Sequence, residues 1–231
     1  TGAVPVTYSG ATTDVPEAVG MDCPDLLYPN EEDWGYVKVD LDKKSLAVPK
    51  QYINAVDSSM MRLMLWQSLI DSVSDANLSA ETFVEFAMAN IPGETDYNVA
   101  RAIGGGLVKA LDYLSTATRL QIKDYSVTYS QVENLYLELL SSAQAGSDLQ
   151  KYWYSQYVDL SKNSMHLNNL RQILASEKTF SGLTIDQDKR WEIVAALNRY
   201  QHGDYLALLE AEKLRDNSDT GVKYAIYSEA L

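Results

Sequence analysis

The chain has 231 residues, of which 46% are hydrophobic and 16 are Tyr. This composition excludes an intrinsically disordered chain and allows a sizeable core without disulfide or metal staples. Because 32 Asp and Glu outnumber 19 Lys and Arg, the formal net charge is −13. A field of this sign repels nucleic acid phosphates and anionic lipids, so neither nucleic acid nor a membrane is expected as a partner.

The first 25 residues are rich in Pro and Gly, which is typical of loops and short strands. Cys23 lies in this segment and is the single cysteine of the chain, so an intrachain disulfide and a CxxC metal site are both excluded. The lack of disulfides fits a reducing compartment. The cytoplasm is therefore slightly favoured, and the periplasm stays open as an alternative.

Residues 36–41, YVKVDL, predict a short β-strand. Apolar and polar residues alternate there, which puts Val37, Val39 and Leu41 on one face and polar side chains on the other. A half-buried strand is stable only with partner strands. The segment therefore indicates a β element that precedes the rest of the fold.

From Pro49 onward the apolar residues recur at helical spacing. The most apolar stretch, residues 60–70, contains Arg62 and Gln67 and is too short to span a bilayer. Residues that favour helix N-termini mark the expected starts. They are Asp57 or Ser58, Ser79, Thr95, Ser130, Ser147, Ser164, Asp186, Asp204 and Ser218.

Roughly seven to nine helices of moderate length, joined by short turns, favour antiparallel helix pairs that stack as a solenoid. No regular sequence repeat accompanies them. The predicted fold class is therefore mainly α: an α-α superhelical array of the HEAT or armadillo kind, preceded by a short β segment.

Candidate catalytic residues are few. His166 and His202 belong to no HExxH pair, which zinc hydrolysis needs together with a carboxylate, so His166 is interpreted as a surface or packing residue. Cys23 has acidic sequence neighbours, which disfavour a reactive thiolate. Asp186 and Asp188 would suit acid–base chemistry if buried. At the start of a helix they are interpreted as capping residues instead.

Residues 103–107, IGGGL, invite comparison with a phosphate-binding loop. They lack both its glycine spacing and its preceding strand. Glycine weakens a helix and leaves room beside its backbone. The stretch is therefore interpreted as a weakened part of a helix that a neighbouring element approaches closely.

Residues 151–160, KYWYSQYVDL, form the densest aromatic stretch. Trp153 and Tyr157 fall on one helical face, which is typical of a core. Tyr152 or Tyr154 could instead line a groove, because tyrosine offers both apolar area and a hydroxyl group.

Four segments together resemble the C-terminal part of the aminopeptidase N family of zinc metallopeptidases, in its bacterial branch. They are LLYPNEEDWGYVKVDLD, RLMLWQSLIDSVSDANLSAETFVEFAMANIPGETDYNVARAI, LTIDQDKRWEIVAAL and EAEKLRDNSDTGVKYAIYSEAL. The resemblance covers about residues 24–231. It implies that residues 1–48 are the C-terminal remnant of a β-sandwich domain and that residues 49–231 are a C-terminal helical cap domain, truncated at its end.

In that family the zinc-binding HExxH and the GAMEN exopeptidase motif lie in an upstream catalytic domain, and this sequence contains neither. The resemblance therefore implies no catalytic, cofactor-binding or metal residue in this chain, and zinc only in the parent enzyme. The implied partners are the catalytic domain of the same polypeptide and peptides that lose their N-terminal residues. The helical domain would cover the active-site chamber and restrict access, with Tyr and Trp side chains partly lining its inner wall.

Two other functions stay open. An independent helical scaffold for protein partners would show an exposed apolar groove. A stand-alone hydrolase would use buried acids such as Asp186 and Asp188. An HExxH motif upstream in the gene would favour the cap, whereas hydrolysis of aminoacyl substrates without metal would favour the hydrolase.

Overall fold

A computed structural model of the chain describes residues 2–230, with side chains at all of them except residues 50 and 51. Within this range it has ten α-helices and no β-strand, so the prediction of a mainly α fold is confirmed. The helices are α1 (Lys43–Tyr52), α2 (Ser59–Ser74), α3 (Ala80–Asn90), α4 (Tyr97–Arg119), α5 (Ser126–Ser142), α6 (Asp148–Leu160), α7 (Ser164–Leu174), α8 (Gln187–Arg199), α9 (Tyr205–Arg215) and α10 (Asp219–Glu229). Among them, none is long and apolar enough to cross a lipid bilayer.

Most helices begin where a side chain can accept backbone N–H groups. Ser58, Ser79 and Ser147, each predicted as a cap, accept the N–H group three residues further on at 3.1 to 3.2 Å. Asp186 and Ser218 cap α8 and α10 in the same way. These bonds satisfy N–H groups that the first helical turn leaves free, so local sequence fixes where these helices start.

Three predicted helix starts were displaced. The N-cap position of α7 is Asn163 rather than Ser164. α4 is capped by Asp96 rather than by Thr95. α5 begins at Ser126 rather than at Ser130, because the Asp124 carboxylate accepts the Ser126 N–H group at 2.9 Å and opens the helix one turn earlier.

α1 was not indicated by the sequence pattern, which showed helical spacing only from Pro49. The helix starts earlier because Asp42 accepts the N–H groups of Lys44 and Ser45 at 2.8 and 3.0 Å. Pro49 lies inside α1, where it cannot donate a backbone hydrogen bond. A short 3₁₀ turn, Ile53–Ala55, follows the helix.

The prediction of a β-strand at residues 36–41 is wrong. The predicted burial of one face is seen in part, since Val39 and Leu41 are buried in the core. Val37, which was expected on the same face, is 50% exposed. A strand needs a neighbouring strand to pair its backbone groups, and the described residues supply none.

The helices after α1 form two layers. The even-numbered helices α2, α4, α6, α8 and α10 pack side by side, each against the next. The odd-numbered helices α3, α5, α7 and α9 make their main contacts with even-numbered neighbours rather than with one another. The predicted stacking of antiparallel helix pairs is therefore confirmed.

Clefts open on the odd-numbered layer. One of about 630 Å³ lies among α7, α8 and α9, and another of about 460 Å³ lies between α5 and Pro92, in the turn after α3. The even-numbered helices, in contrast, touch directly. A layer whose helices are closer together forms the inner side of a bend, so the even layer is expected to be the concave side of the array.

Two buried ion pairs join neighbouring elements: one links α2 to the turn before α4, and the other links α8 to α9. Arg62 of α2 donates to both carboxylate oxygens of Glu94 at 2.8 and 2.9 Å, and Glu94 also accepts the N–H groups of the two residues that follow it. Arg190 of α8 donates to both oxygens of Glu212 in α9 at 2.8 and 2.6 Å. Bidentate geometry of this kind fixes the position of both partners.

A third buried carboxylate, that of Glu133 in α5, determines where α7 begins. One oxygen accepts the N–H groups of Lys162 and Asn163 at 2.7 and 2.9 Å, and the other accepts the Asn163 side-chain amide at 2.9 Å. Asn163 makes no capping bond of its own to α7. A residue from another helix pair therefore anchors the start of this helix.

Candidate functional site

The candidate site is the open surface where α4, α6 and α8 lie side by side. On α4, exposed residues recur at three- and four-residue spacing and so form one stripe. We define the even-layer face as this stripe and its polar neighbours on α6 and α8: Tyr97, Arg101, Gly105, Val108, Asp112, Tyr152, Asp159, Glu192 and Arg199. The broad face of a stacked helix array is the surface that such folds use for binding.

The three glycines of α4 have different surroundings. A Cβ on Gly104 would collide with the Tyr152 hydroxyl, and a Cβ on Gly106 would lie 2.6 Å from the Phe83 ring. A Cβ on Gly105 would meet no atom within 4 Å. Close approach by neighbouring elements is therefore confirmed at Gly104 and Gly106. Gly105 leaves the centre of the even-layer face free of any side chain.

Two aromatic rings and one guanidinium form a cluster on the same face. The rings of Tyr97 and Tyr152 meet edge to face with centroids 5.9 Å apart, and the Arg101 guanidinium lies 5.7 Å from the Tyr97 centroid. Burial raises the pKa of Tyr152 to about 12, against a lowering effect of Arg101. The Tyr152 hydroxyl is therefore neutral near pH 7 and available as a hydrogen-bond donor.

The other aromatic residues of α6 belong to the core. Trp153 and Tyr157 are 3% and 0% exposed, as predicted. Tyr154 is also buried, and its hydroxyl donates to the Lys189 carbonyl at 2.8 Å. Of the two tyrosines proposed for a groove, only the half-buried Tyr152 reaches the even-layer face.

Two carboxyl groups with raised pKa values lie where α6 meets α8. Burial, followed by the charge of Asp159, raises the pKa of Glu192 to about 7, while Lys189 opposes the shift. Burial also raises the pKa of Asp159, and Arg199 opposes it. One Glu192 oxygen is buried without a hydrogen-bond partner in the described part of the chain. Glu192 is therefore able to hold a proton near neutral pH.

Glu192→Gln is expected to remove a pH dependence of stability. The folded chain holds the Glu192 proton up to about pH 7, whereas the unfolded chain releases it near the ordinary value of 4.5. The free energy of unfolding should therefore fall as pH rises through this window. The substitution should flatten the fall and stabilise the chain at pH 8 by on the order of 1 kcal/mol, since Glu192 is partly screened by solvent.

Urea unfolding at pH 5 and pH 8 measures this effect. Glu138→Gln, at an exposed carboxyl of α5, is the matched control for the same chemical change on the surface. An unaltered pH dependence in the Glu192 variant would contradict the assignment.

The acids proposed for hydrolysis do not form a buried pair. Asp186 caps α8 by accepting the Lys189 N–H group at 3.0 Å, as predicted. Asp186 and Asp188 are both exposed, so neither has the burial that acid–base chemistry would need.

The two histidines and the cysteine have different surroundings. His166 is fully buried with its Nδ1 atom 3.1 Å from the Tyr157 hydroxyl, so its interpretation as a packing residue is confirmed. His202 contacts Asn168 at 2.9 Å. Cys23 is exposed. No group of three His, Cys, Asp or Glu residues in the described range is placed to hold a metal ion, so the residues present do not fit a zinc site.

Sequence reasoning missed Asp159 and Glu192. Each looks like an ordinary helix carboxylate, and only tertiary packing brings α6 and α8 together. One local signal was available, because Glu192 stands between the apolar residues Trp191 and Ile193 in a stretch that reads as core. An acid inside such a stretch indicates a carboxyl group at the edge of a buried surface.

Comparison with known proteins supports the family resemblance seen in the sequence. The sequence profile of the ERAP1-like C-terminal domain family matches residues 26–231. An Aminopeptidase N from Streptomyces lividans is 28% identical to the chain over 230 residues, which is 98% of this chain and 26% of that protein. The chain therefore spans about a quarter of the length of this curated relative.

Proposed function

The chain belongs to the ERAP1-like C-terminal domain family, and from this membership we propose that it is the non-catalytic helical part of an aminopeptidase. In this proposal it covers the active-site chamber and limits which peptides enter. The match over residues 26–231 is the observation that carries the proposal, and the relative named Aminopeptidase N supports it.

The even-layer face has properties that suit the wall of such a chamber. It lies on the side of the array that is expected to be concave, and Gly105 leaves an opening in the stripe between the positions of Arg101 and Val108. Arg101, one helical turn before Gly105, supplies hydrogen-bond donors beside this opening. Peptide main chains carry a carbonyl acceptor at every residue, so donors of this kind can hold an extended peptide without selecting its sequence.

The chemistry is proposed to belong to the rest of the polypeptide. The family resemblance implies a zinc-dependent hydrolysis of the N-terminal peptide bond, performed by a catalytic domain outside this chain. The described residues contribute no metal ligand set to it. Their contribution would be a wall that excludes folded proteins and bulk water from the reaction.

Residues 1–48 are proposed to be the end of a preceding β-sandwich domain, with residues 49–231 as the cap. Trp34 and Tyr36 support this division, because they are 86% and 110% exposed and large aromatic residues rarely stay uncovered. Two hydrogen bonds close the turn that contains Trp34. Asn30 donates to the Gly35 carbonyl at 2.9 Å and accepts the Gly35 N–H group at 2.8 Å.

Gly105→Trp tests the capping role in the complete enzyme. If the even-layer face lines the chamber, the new side chain should lower kcat/KM for peptides of ten residues by about tenfold or more, equivalent to about 1.4 kcal/mol. Small aminoacyl chromogenic substrates should lose much less, because they do not extend as far as the wall. Steady-state kinetics with both substrate classes provides the comparison.

Met165→Trp is the control, because Met165 is 57% exposed on α7 in the odd-numbered layer. It should leave both substrate classes unaffected. Equal effects of the two variants on long peptides would refute the capping role. Family membership would stand in that case, since it does not depend on which face meets the substrate.

A further inference from the structure

Three polar side chains from α6 and α7 meet between these helices. His166 and Tyr157 are both 0% exposed, and the Nδ1 atom of His166 lies 3.1 Å from the Tyr157 hydroxyl oxygen. The Asn169 side-chain amide donates to the same oxygen at 3.2 Å. The rings of His166 and Tyr157 also meet edge to face, with centroids 5.7 Å apart. We define these three residues as the α7 polar cluster.

The hydrogen bonds of the α7 polar cluster determine which nitrogen of His166 carries the hydrogen. An amide N–H group can only donate, so the Tyr157 oxygen accepts from Asn169 and its own O–H group donates to Nδ1. A neutral imidazole that accepts at Nδ1 carries its hydrogen on Nε2. The Nε2 atom is buried and has no hydrogen-bond partner in the described part of the chain. The cluster therefore accommodates His166 only in its neutral form.

A second proton on His166 is incompatible with this arrangement. An imidazolium has an N–H group on both ring nitrogens, so its Nδ1–H group would face the Tyr157 O–H group instead of accepting from it. Its Nε2–H group would be a charged donor inside the core without an acceptor. Burial accordingly lowers the pKa of His166 below its ordinary value of 6.5, while Glu133 of α5 opposes the shift and Lys178, in the turn after α7, adds to it.

Glu133 is a carboxylate whose charge acts on His166, but its oxygens are already engaged. They accept the backbone N–H groups of Lys162 and Asn163 and the side-chain amide of Asn163, which hold the start of α7. A charged His166 would therefore have to draw Glu133 away from these groups or leave the core itself. Either movement frees α7, because this helix has no capping bond from Asn163 and makes its main contact with α8.

We propose that the α7 polar cluster is a pH-sensitive switch, which holds α7 in the array while His166 is neutral and releases α7 when His166 gains a proton. The release is local, because His166 and the bonds from Glu133 all lie at the first turn of α7. Since the pKa of His166 is lower in the packed helix than its ordinary value of 6.5, the released helix binds this proton more tightly. The stability of α7 in the array therefore falls as pH falls below about 6.5.

Hydrogen exchange of the α7 amides measures this release. After correction for the intrinsic pH dependence of exchange, protection in α7 should fall by about tenfold between pH 7 and pH 5, because one proton separates the two states. The amides of α4 are the internal reference and should show no such fall. His166→Asn should abolish the fall in α7, because an Asn oxygen can accept the Tyr157 hydroxyl but does not take up a proton.

Nitrogen NMR of the imidazole rings is a second measurement, which needs no variant at His166. At pH 7 His166 should carry its hydrogen on Nε2. Tyr157→Phe should remove this preference, because it deletes the hydroxyl that donates to Nδ1. Tyr154→Phe is the matched control at another buried tyrosine of α6 and should leave the preference intact. A hydrogen on Nδ1 at pH 7, unchanged protection of α7 at pH 5, or an equal fall in His166→Asn would each overturn the proposal.

Discussion

Gly106→Ala is expected to lower the free energy of unfolding by about 2 kcal/mol, because overpacking a filled core typically costs about 1 to 3 kcal/mol. The new Cβ would lie 2.6 Å from the Phe83 ring and 2.7 Å from the Ile70 side chain. Both neighbours belong to helices that pack on α4, so α2 and α3 would have to move together. Urea unfolding followed by circular dichroism measures the change.

Gly105→Ala is the matched control for this prediction. It makes the same chemical change one residue earlier in the same helix, where a Cβ meets nothing within 4 Å. Alanine is favoured over glycine in helices by about 1 kcal/mol, so this variant should be more stable than the parent chain. Shifts of the same sign in both variants would contradict the packing described for α4.

Glu94→Ala is expected to destabilise the chain by about 3 to 5 kcal/mol, the usual cost of leaving a buried charge without its partner. Arg62 would lose both of its carboxylate acceptors, and the side chain of Arg62 is only 13% exposed. The N–H groups of Thr95 and Asp96 would lose their acceptor as well. The start of α4 should therefore loosen, which hydrogen exchange at its first turn would show.

An ion pair on the surface provides the comparison for Glu94→Ala. Glu81 pairs with Lys123 at 2.7 Å, but both side chains are well exposed. Glu81→Ala should have a far smaller effect than Glu94→Ala, since solvent already screens exposed charges. The double variant Arg62→Met with Glu94→Leu should recover much of the lost stability, because it leaves no unpaired charge. No recovery would mean that the carboxylate acts mainly on the backbone of α4.

Most of the helices could be predicted from the sequence because the residues that start a helix act locally. Ser58, Ser79 and Ser147 each open a helix through a bond to a residue three positions away, and such a bond requires no knowledge of the fold. The prediction of a strand at residues 36–41 was wrong because strand formation does not depend on local signals alone. Alternation is local, but pairing with another strand is not, and the described residues hold no such strand.

The candidate site was predictable only in part. The glycines of residues 103–107 signalled a close approach, but sequence could not separate Gly105, which faces open space, from its two packed neighbours. Tyr152 was one of two tyrosines considered for a groove, and only helix orientation decides between it and Tyr154. Asp159 and Glu192 come together through the contact between α6 and α8. Such contacts depend on the whole array.

The anchoring of α7 by Glu133 affects how the array can deform. Lys162 and Asn163 are held from α5 by charge-assisted hydrogen bonds, which resist sliding between these two helix pairs. Any bending motion of the array would therefore concentrate at other junctions between helix pairs. The segment from α5 to α7 would then move as one unit.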